Sequence, residues 1–254
     1  MDQKVISVLE RGLTVLDALN RPDVTDIRHL HRLTGLPKPT IVRLLDTLVT
    51  LGYVVRRPGG GYEVTAKVLR LSHGYRSADP VQLVRAARPA LRWLRQQTSG
   101  WPSDLAICDA ETMIVVDPGP GAGSQFLNRM RGYRLPILSS ALGRAYLAFC
   151  PDEERDEVLH RLEAGAEPVN EATGSALENV RRKGFALRDC EPGKATRVLA
   201  APVLIHGRAI ASVSVITAAK AMTLQQMEKT FALPLAQAAA TIARAYAGSR
   251  PDQP

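Results

Sequence analysis

Between Thr25 and Thr65 two short apolar-periodic segments meet at a glycine-proline break, and a glycine-tipped pair of strand-like runs follows. In Pro39–Leu51 the residues Ile41, Leu44, Leu45, Leu48 and Leu51 fall at i, i+3, i+4, i+7 spacing, so one helical face is a continuous stripe for a core. Pro39 suits a helix's first turn, where no backbone donor is needed. It also holds Lys38 extended, which ends the preceding turn. Ile27, Leu30 and Leu33 line the inner side of a preceding helix, which Thr25 or Asp26 can cap and Gly35 can end in the left-handed conformation. An earlier helix carrying Ile6, Leu9, Leu13 and Leu16 completes a three-helix core. The runs 53–57 and 61–65 read as two strands around Pro58-Gly59-Gly60. This is the pattern of a winged helix-turn-helix, which seats its second helix in the major groove of DNA.

The outward face of that second helix carries Thr40, Arg43 and Thr47. Arg can grip guanine bidentately, and Thr can touch a thymine methyl or bond a base edge. Lys38 falls near the helix N-terminus, a place suited to a phosphate. Arg56 and Arg57 flank the wing tip, where a phosphate backbone would pass. His29 and His31 read as exposed helix residues. The plain alternative is a small helical core with solvated charges, but the turn, the polar face and the basic wing agree on DNA. Charge agrees as well. Of the formal +8, residues 1–77 hold 12 Lys/Arg against 7 Asp/Glu, and residues 78–254 hold 21 against 18. The excess is concentrated in the first third, as an electrostatic footprint for DNA requires.

A length of 254 residues suits two domains. The expected division is a DNA-binding domain over 1–65, a linker helix over 66–78 with Val68, Leu69 and Leu71 on its apolar side, and a second domain over 79–250. The three cysteines (Cys108, Cys150 and Cys190) form no CxxC pair and stand apart from the histidines, so neither a disulfide framework nor a metal or other cofactor is expected. With no signal-peptide core and no apolar run of about 20 residues, a cytoplasmic protein is expected. In the second domain a helix over 81–97 precedes a hairpin, 105–109 and 112–117. The segment 118–124 reads as a loop. Helices are expected over 141–149, 152–164, 175–183 and 223–247, and a second apolar hairpin over 199–205 and 209–216. Hairpins interspersed with helices indicate an α+β domain with an antiparallel sheet.

Ser212, Ser214 and Ile216 share one face of their strand. A serine pair in an otherwise apolar strand suggests a polar patch inside a pocket. Ser139 and Ser140 precede a helix whose first backbone donors, at Ala141 and Leu142, can receive a carboxylate; either serine can equally be the helix N-cap. Arg129, Arg131 and Arg134 flank the neighbouring loop and can pair with an acid. An enzymatic alternative would need Cys150, His160 and Asp189 as nucleophile, base and orienter, and their spacing does not favour it. A second alternative is a DNA-binding protein whose second domain only oligomerises.

The chain resembles the IclR-type bacterial transcription regulators over nearly its whole length. The resemblance is carried by Glu10-Arg11-Gly12-Leu13, Thr34 to Thr40, Arg43-Leu44-Leu45, Leu51-Gly52-Tyr53 and Tyr62 to Thr65, then by Ala141 to Ala145, Gly184-Phe185-Ala186, Ala200 to Val203 and the Ser212/Ser214 strand. It implies a winged helix-turn-helix joined by a linker helix to a GAF-like effector-binding domain, in a homodimer or homotetramer. The implied partners are a double-stranded DNA operator and a small organic acid effector, with no membrane. By the same similarity the helix start at Ala141-Leu142, Asp189 and Ser214 line the effector cavity; Cys190 and Ser212 join them by spacing. Arg134-Leu135 and the run Leu142–Pro151 look most like regulators of aromatic acid breakdown. Ile216, where a hydroxyl can stand in relatives for polar keto-acids, points to a less polar ligand.

Overall fold

Three helices and a two-stranded wing make up the first of two compact units, which divide the chain at residue 76. The computed structural model describes residues 5–20, 26–72, 79–118, 131–164, 169, 171–190 and 195–249. In the first unit, α1 (Ser7–Leu19), α2 (Ile27–Thr34) and α3 (Lys38–Thr50) pack around Val15, Leu19, Leu30, Ile41 and Leu45. Strands β1 (Val54–Arg56) and β2 (Tyr62–Val64) pair antiparallel and close this core with Val54 and Tyr62. A short 3-10 helix, Ala66–Ser72, follows.

The apolar stripes do not all bury as their spacing predicts. Leu30 is enclosed on α2, but Leu33 is exposed; Ile41 and Leu45 are enclosed on α3, whereas Leu51 at its end is exposed. The largest departure is on α1. Its core contribution comes from Val15, Ala18 and Leu19, while Ile6, Leu9 and Leu13 are 69%, 60% and 52% exposed. Three helices this short offer one shared interior, and only the C-terminal half of α1 reaches it. Leu69 and Leu71 also face outward, because a 3-10 helix turns three residues per turn and does not gather 68, 69 and 71 on one side.

The second unit is a six-stranded antiparallel sheet in the order β5-β4-β3-β8-β7-β6. Its central strands are the two expected hairpins: β3 (Ser103–Asp109) with β4 (Thr112–Asp117), and β7 (Thr196–Ile205) with β8 (Arg208–Ala218). The edges, β5 (Arg134–Pro136) and β6 (Ala186–Arg188), are three residues each. Helices α4 (Pro80–Gln97) and α8 (Leu224–Ser249) pack together and against the sheet. The Thr217 hydroxyl reaches the Met227 sulfur of α8 at 3.7 Å, so odd-numbered residues of β8 face that layer. The opposite face receives α5 (Ala141–Leu147), α6 (Asp152–Ala164) and α7 (Glu171–Lys183), whose cluster includes Ala106, Val198, Ala200 and Ile216. The segments 119–124 and Arg129 lie outside the described residues.

Candidate functional site

The helix-turn-helix pair is built locally and tightly. Asp26 caps α2 by accepting the His29 backbone N–H at 2.7 Å. Gly35 ends it at φ +68, a left-handed turn that suits glycine. The His31 Nδ1 lies 2.7 Å from the Leu36 carbonyl oxygen and ties the helix to the turn. Helix α3 then begins one residue earlier than expected. Pro37 (φ −57, ψ 139) is its extended N-cap, so Lys38 is the first helical residue and not the extended one. The pre-proline restriction disfavours helical geometry at Lys38, but a helix's first position tolerates it.

Lys38, Arg43 and Thr47 are exposed and Thr40 is half-buried, with Thr40, Arg43 and Thr47 stacked on one face by their i, i+3, i+7 spacing. Arg43 has no acidic partner among the described residues. Thr47 donates its hydroxyl proton to the Arg43 carbonyl at 2.9 Å, which leaves its oxygen lone pairs and methyl outward. The wing's two arginines differ. Arg56 lies 5.9 Å from the Tyr62 ring centroid, aligned across the hairpin and without a carboxylate partner among the described residues. Arg57 donates to Glu63 at 2.6 Å, which neutralises much of its charge. Lys67, which sequence reasoning passed over, donates to the Leu51 carbonyl at 2.7 Å and stacks 4.8 Å over Tyr53. It braces the end of α3 against the wing.

In the second unit the register of the sheet brings polar groups to the α5 face. Ser214 is paired with Asp104 on one side and Ala200 on the other; Ser212 stands between Ala106 and Pro202. Both serines and Asp104 are fully buried. Among the described residues the two serine hydroxyls have no hydrogen-bond partner, a state that costs about 1–3 kcal/mol per buried group. Asp104 was missed because a carboxylate opening an apolar run reads as the turn before it. Across from the strand, Ser140 is the N-cap of α5 and accepts the Gly143 backbone N–H at 3.0 Å. Gly143 packs its Cα so closely on Ile137 that a Cβ would overlap the Ile137 carbonyl. Ala141 and Leu142 are buried beside it, and Ser139 is exposed. Arg144 fastens the helix by donating to the Leu138 and Ser139 carbonyls at 3.0 Å and to Leu187 at 2.7 Å.

Asp189 and Cys190 stand apart from this face. The Asp189 carboxylate is exposed and accepts from the Cys190 backbone N–H and from Arg197, both at 2.7 Å. These bonds, the backbone one foremost, hold its pKa below the usual carboxylate value. The same guanidinium reaches the Ala219 and Met222 carbonyls, so the pair latches the start of β7 to the turn after β8. Arg188 is opposite Val198 and Ser214 opposite Ala200, which leaves Asp189 about 10 Å further along the strands and two strand spacings away. Arg134 is likewise engaged, donating to Asp109 and Thr112. Cys150 is buried behind α5, His160 is exposed on α6 and Asp189 is held by Arg197, so the catalytic arrangement is not assembled.

Comparison with known proteins agrees with both halves. Residues 8–58 match the IclR helix-turn-helix domain, and residues 75–244 match the bacterial transcriptional regulator IclR C-terminal domain. The DNA-binding transcriptional repressor YiaJ of Escherichia coli (strain K12) is 29% identical over 244 residues, covering 92% of this chain and 86% of that protein. The Pca regulon regulatory protein of Pseudomonas putida is 28% identical over 251 residues, covering 94% and 83%. An IclR homolog from Microbacterium hydrocarbonoxydans, solved in complex with 4-hydroxybenzoate, shares the fold at a TM-score of 0.66 and 22% identity, covering 95% of this chain and all of the other. These relatives are transcriptional regulators and not enzymes. With its helix-turn-helix and its second unit both matched, the chain belongs to the IclR family of DNA-binding bacterial transcriptional regulators.

Proposed function

We propose that this regulator grips its operator with Lys38, Thr40, Arg43 and Thr47 of α3 and with Arg56 and Arg57 of the wing, and that a small organic acid on the Ser212/Ser214 face sets its affinity. The observation that carries the effector reading is the pair of buried serine hydroxyls without partners. A ligand that bonds them offsets the cost of burying these hydroxyls. The surrounding Ala106, Ala200 and Ile216 favour a carbon body over a highly polar one. Asp104 is paired with Ser214 across the strands, and a ligand hydroxyl suits a carboxyl group at that end. Helix α5 packs on β7 and β8, so Ser140, Ala141 and Leu142 at its start are the α5 side of the proposed site. An aromatic hydroxy acid fits this pattern, and a catabolic operon is the proposed target.

Such a ligand acts only through different affinity for the DNA-competent and DNA-incompetent arrangements. The protein works as a homo-oligomer in the cytoplasm, joined to a second copy through the exposed apolar half of α1: Ile6, Leu9 and Leu13 form one stripe on the unit that reads DNA. A two-fold dimer of such heads matches a two-fold operator. Among the described residues no helix is long and apolar enough to cross a membrane. The test is fluorescence anisotropy on DNA from upstream of the protein's own gene, with 4-hydroxybenzoate first in a panel of acids. An acid-dependent change in affinity that Ser214→Val abolishes supports the reading. A thermal-shift screen in which no acid raises the melting point would instead leave the second unit an oligomerising module.

A further inference from the structure

The far side of the sheet from the serines carries a second concave site. Helix α4 has arginines at 85, 88, 92 and 95 and no acidic residue along its length. Near its start, a groove of about 260 Å³ opens against the end of β4. Three guanidiniums line it, from Arg85, Arg88 and Arg131, around an apolar wall of Val81, Val84 and Val116. Among the described residues one carboxylate answers them. Asp117 stands 3.9 Å from Arg88, a long ion pair, and Arg131 also acts on it. Burial of Asp117 raises its pKa against the pull of both arginines. Arg85 has no acidic partner among the described residues. The first backbone donors of α4 are already taken, since the Asp79 carboxylate accepts from Val81 and Gln82. An anion here is therefore held by side chains and not by the helix end.

Guanidiniums gathered around an apolar floor repel one another unless an anion joins them, and their planar forks match carboxylates. Three positive charges against one negative leave room for two more negative charges. The three valines offer a surface for carbon, which a bare inorganic ion cannot use. We propose that this groove is a second anion site, separate from the serine face, for a small organic dianion whose carboxylates lie on Arg85, Arg88 and Arg131 and whose carbon body lies on Val81, Val84 and Val116. It goes beyond the effector reading above and does not depend on it. The helix it engages is the first of the second unit in chain order, so occupancy would fix α4 against β4.

The experiment is isothermal titration of the full-length protein without DNA, using isophthalate and glutarate as dianion probes, with benzoate and inorganic phosphate as controls. The dicarboxylates bind with saturation, benzoate binds at least about tenfold more weakly for want of the second charge-assisted contact, and phosphate gives no comparable binding. Arg85→Gln combined with Arg131→Gln abolishes isophthalate binding; both side chains border solvent, and an unchanged circular dichroism spectrum confirms the fold. Asp117→Asn, which removes the competing carboxylate, tightens binding. Isophthalate bound equally by the double variant overturns the proposal. So does phosphate binding as well as isophthalate, or the absence of dicarboxylate binding to the unsubstituted protein.

Discussion

Arg43 and Arg57 carry the same charge, and what surrounds each sets what it can do for DNA. Arg43 projects from the middle of α3 with no acidic partner among the described residues, so its full charge and five donors are available to a base or phosphate. Arg57 is held by Glu63 and must give up that pair before it reaches a phosphate. Arg43→Ala is expected to weaken operator binding by about 1–3 kcal/mol, while Arg57→Ala costs less than Arg56→Ala; anisotropy titrations at fixed salt measure all three, and unchanged affinity in Arg43→Ala removes it from the interface. The cysteines separate in the same way. Burial foremost, with the Glu154 charge next, pushes the Cys108 and Cys150 thiols up to about 12, so almost no thiolate exists near pH 8. Cys190 is exposed. A thiol reagent should label one cysteine per native chain and three after denaturation; rapid labelling of three in the native protein would show that the α5 layer opens readily.

At the scale of elements, the long hairpins and helices are legible because their periods run far enough to be counted. β7 and β8 hold ten and eleven residues, and their alternation fixes which side chains share a face. Edge strands β5 and β6 are not legible, since three residues cannot display a period and their pairing depends on partners distant in sequence. The α1 stripe misleads for a different reason. Helical spacing shows that Ile6, Leu9 and Leu13 share a face, but not whether that face meets this chain's own core. Because these side chains are exposed, Leu9→Asp with Leu13→Asp should leave the fold intact and, if the proposed α1 interface holds, shift the protein toward smaller species in sedimentation velocity; an unchanged sedimentation coefficient would contradict that proposal. Helix α5 offers the converse. Gly143→Ala forces a methyl into the Ile137 carbonyl, and overpacking typically costs about 1–3 kcal/mol. Urea denaturation should find a loss at or above the top of that range, and a neutral result would mean the backbone there yields.

For the whole molecule, the sequence carries the DNA head more completely than the effector face. A reading helix is a local device, so its outward residues follow from spacing alone. The proposed effector face is assembled by β3, β8 and α5 from residues over a hundred positions apart, and spacing along one strand finds Ser212 and Ser214 but not Asp104 across the sheet. It also draws in Asp189 and Cys190, which the fold uses to anchor Arg197. Concentration of the +8 charge in the first third predicts a steep salt dependence, since each neutralised phosphate releases counterions. The most direct measurement of the account is anisotropy of the full-length protein on its own upstream DNA, titrated at two salt concentrations with and without the acid panel. The account predicts a tight complex that weakens steeply with salt and changes affinity with one acid, a change lost in Ser214→Val. A complex indifferent to every acid, or an acid response that survives intact in Ser214→Val, would contradict it.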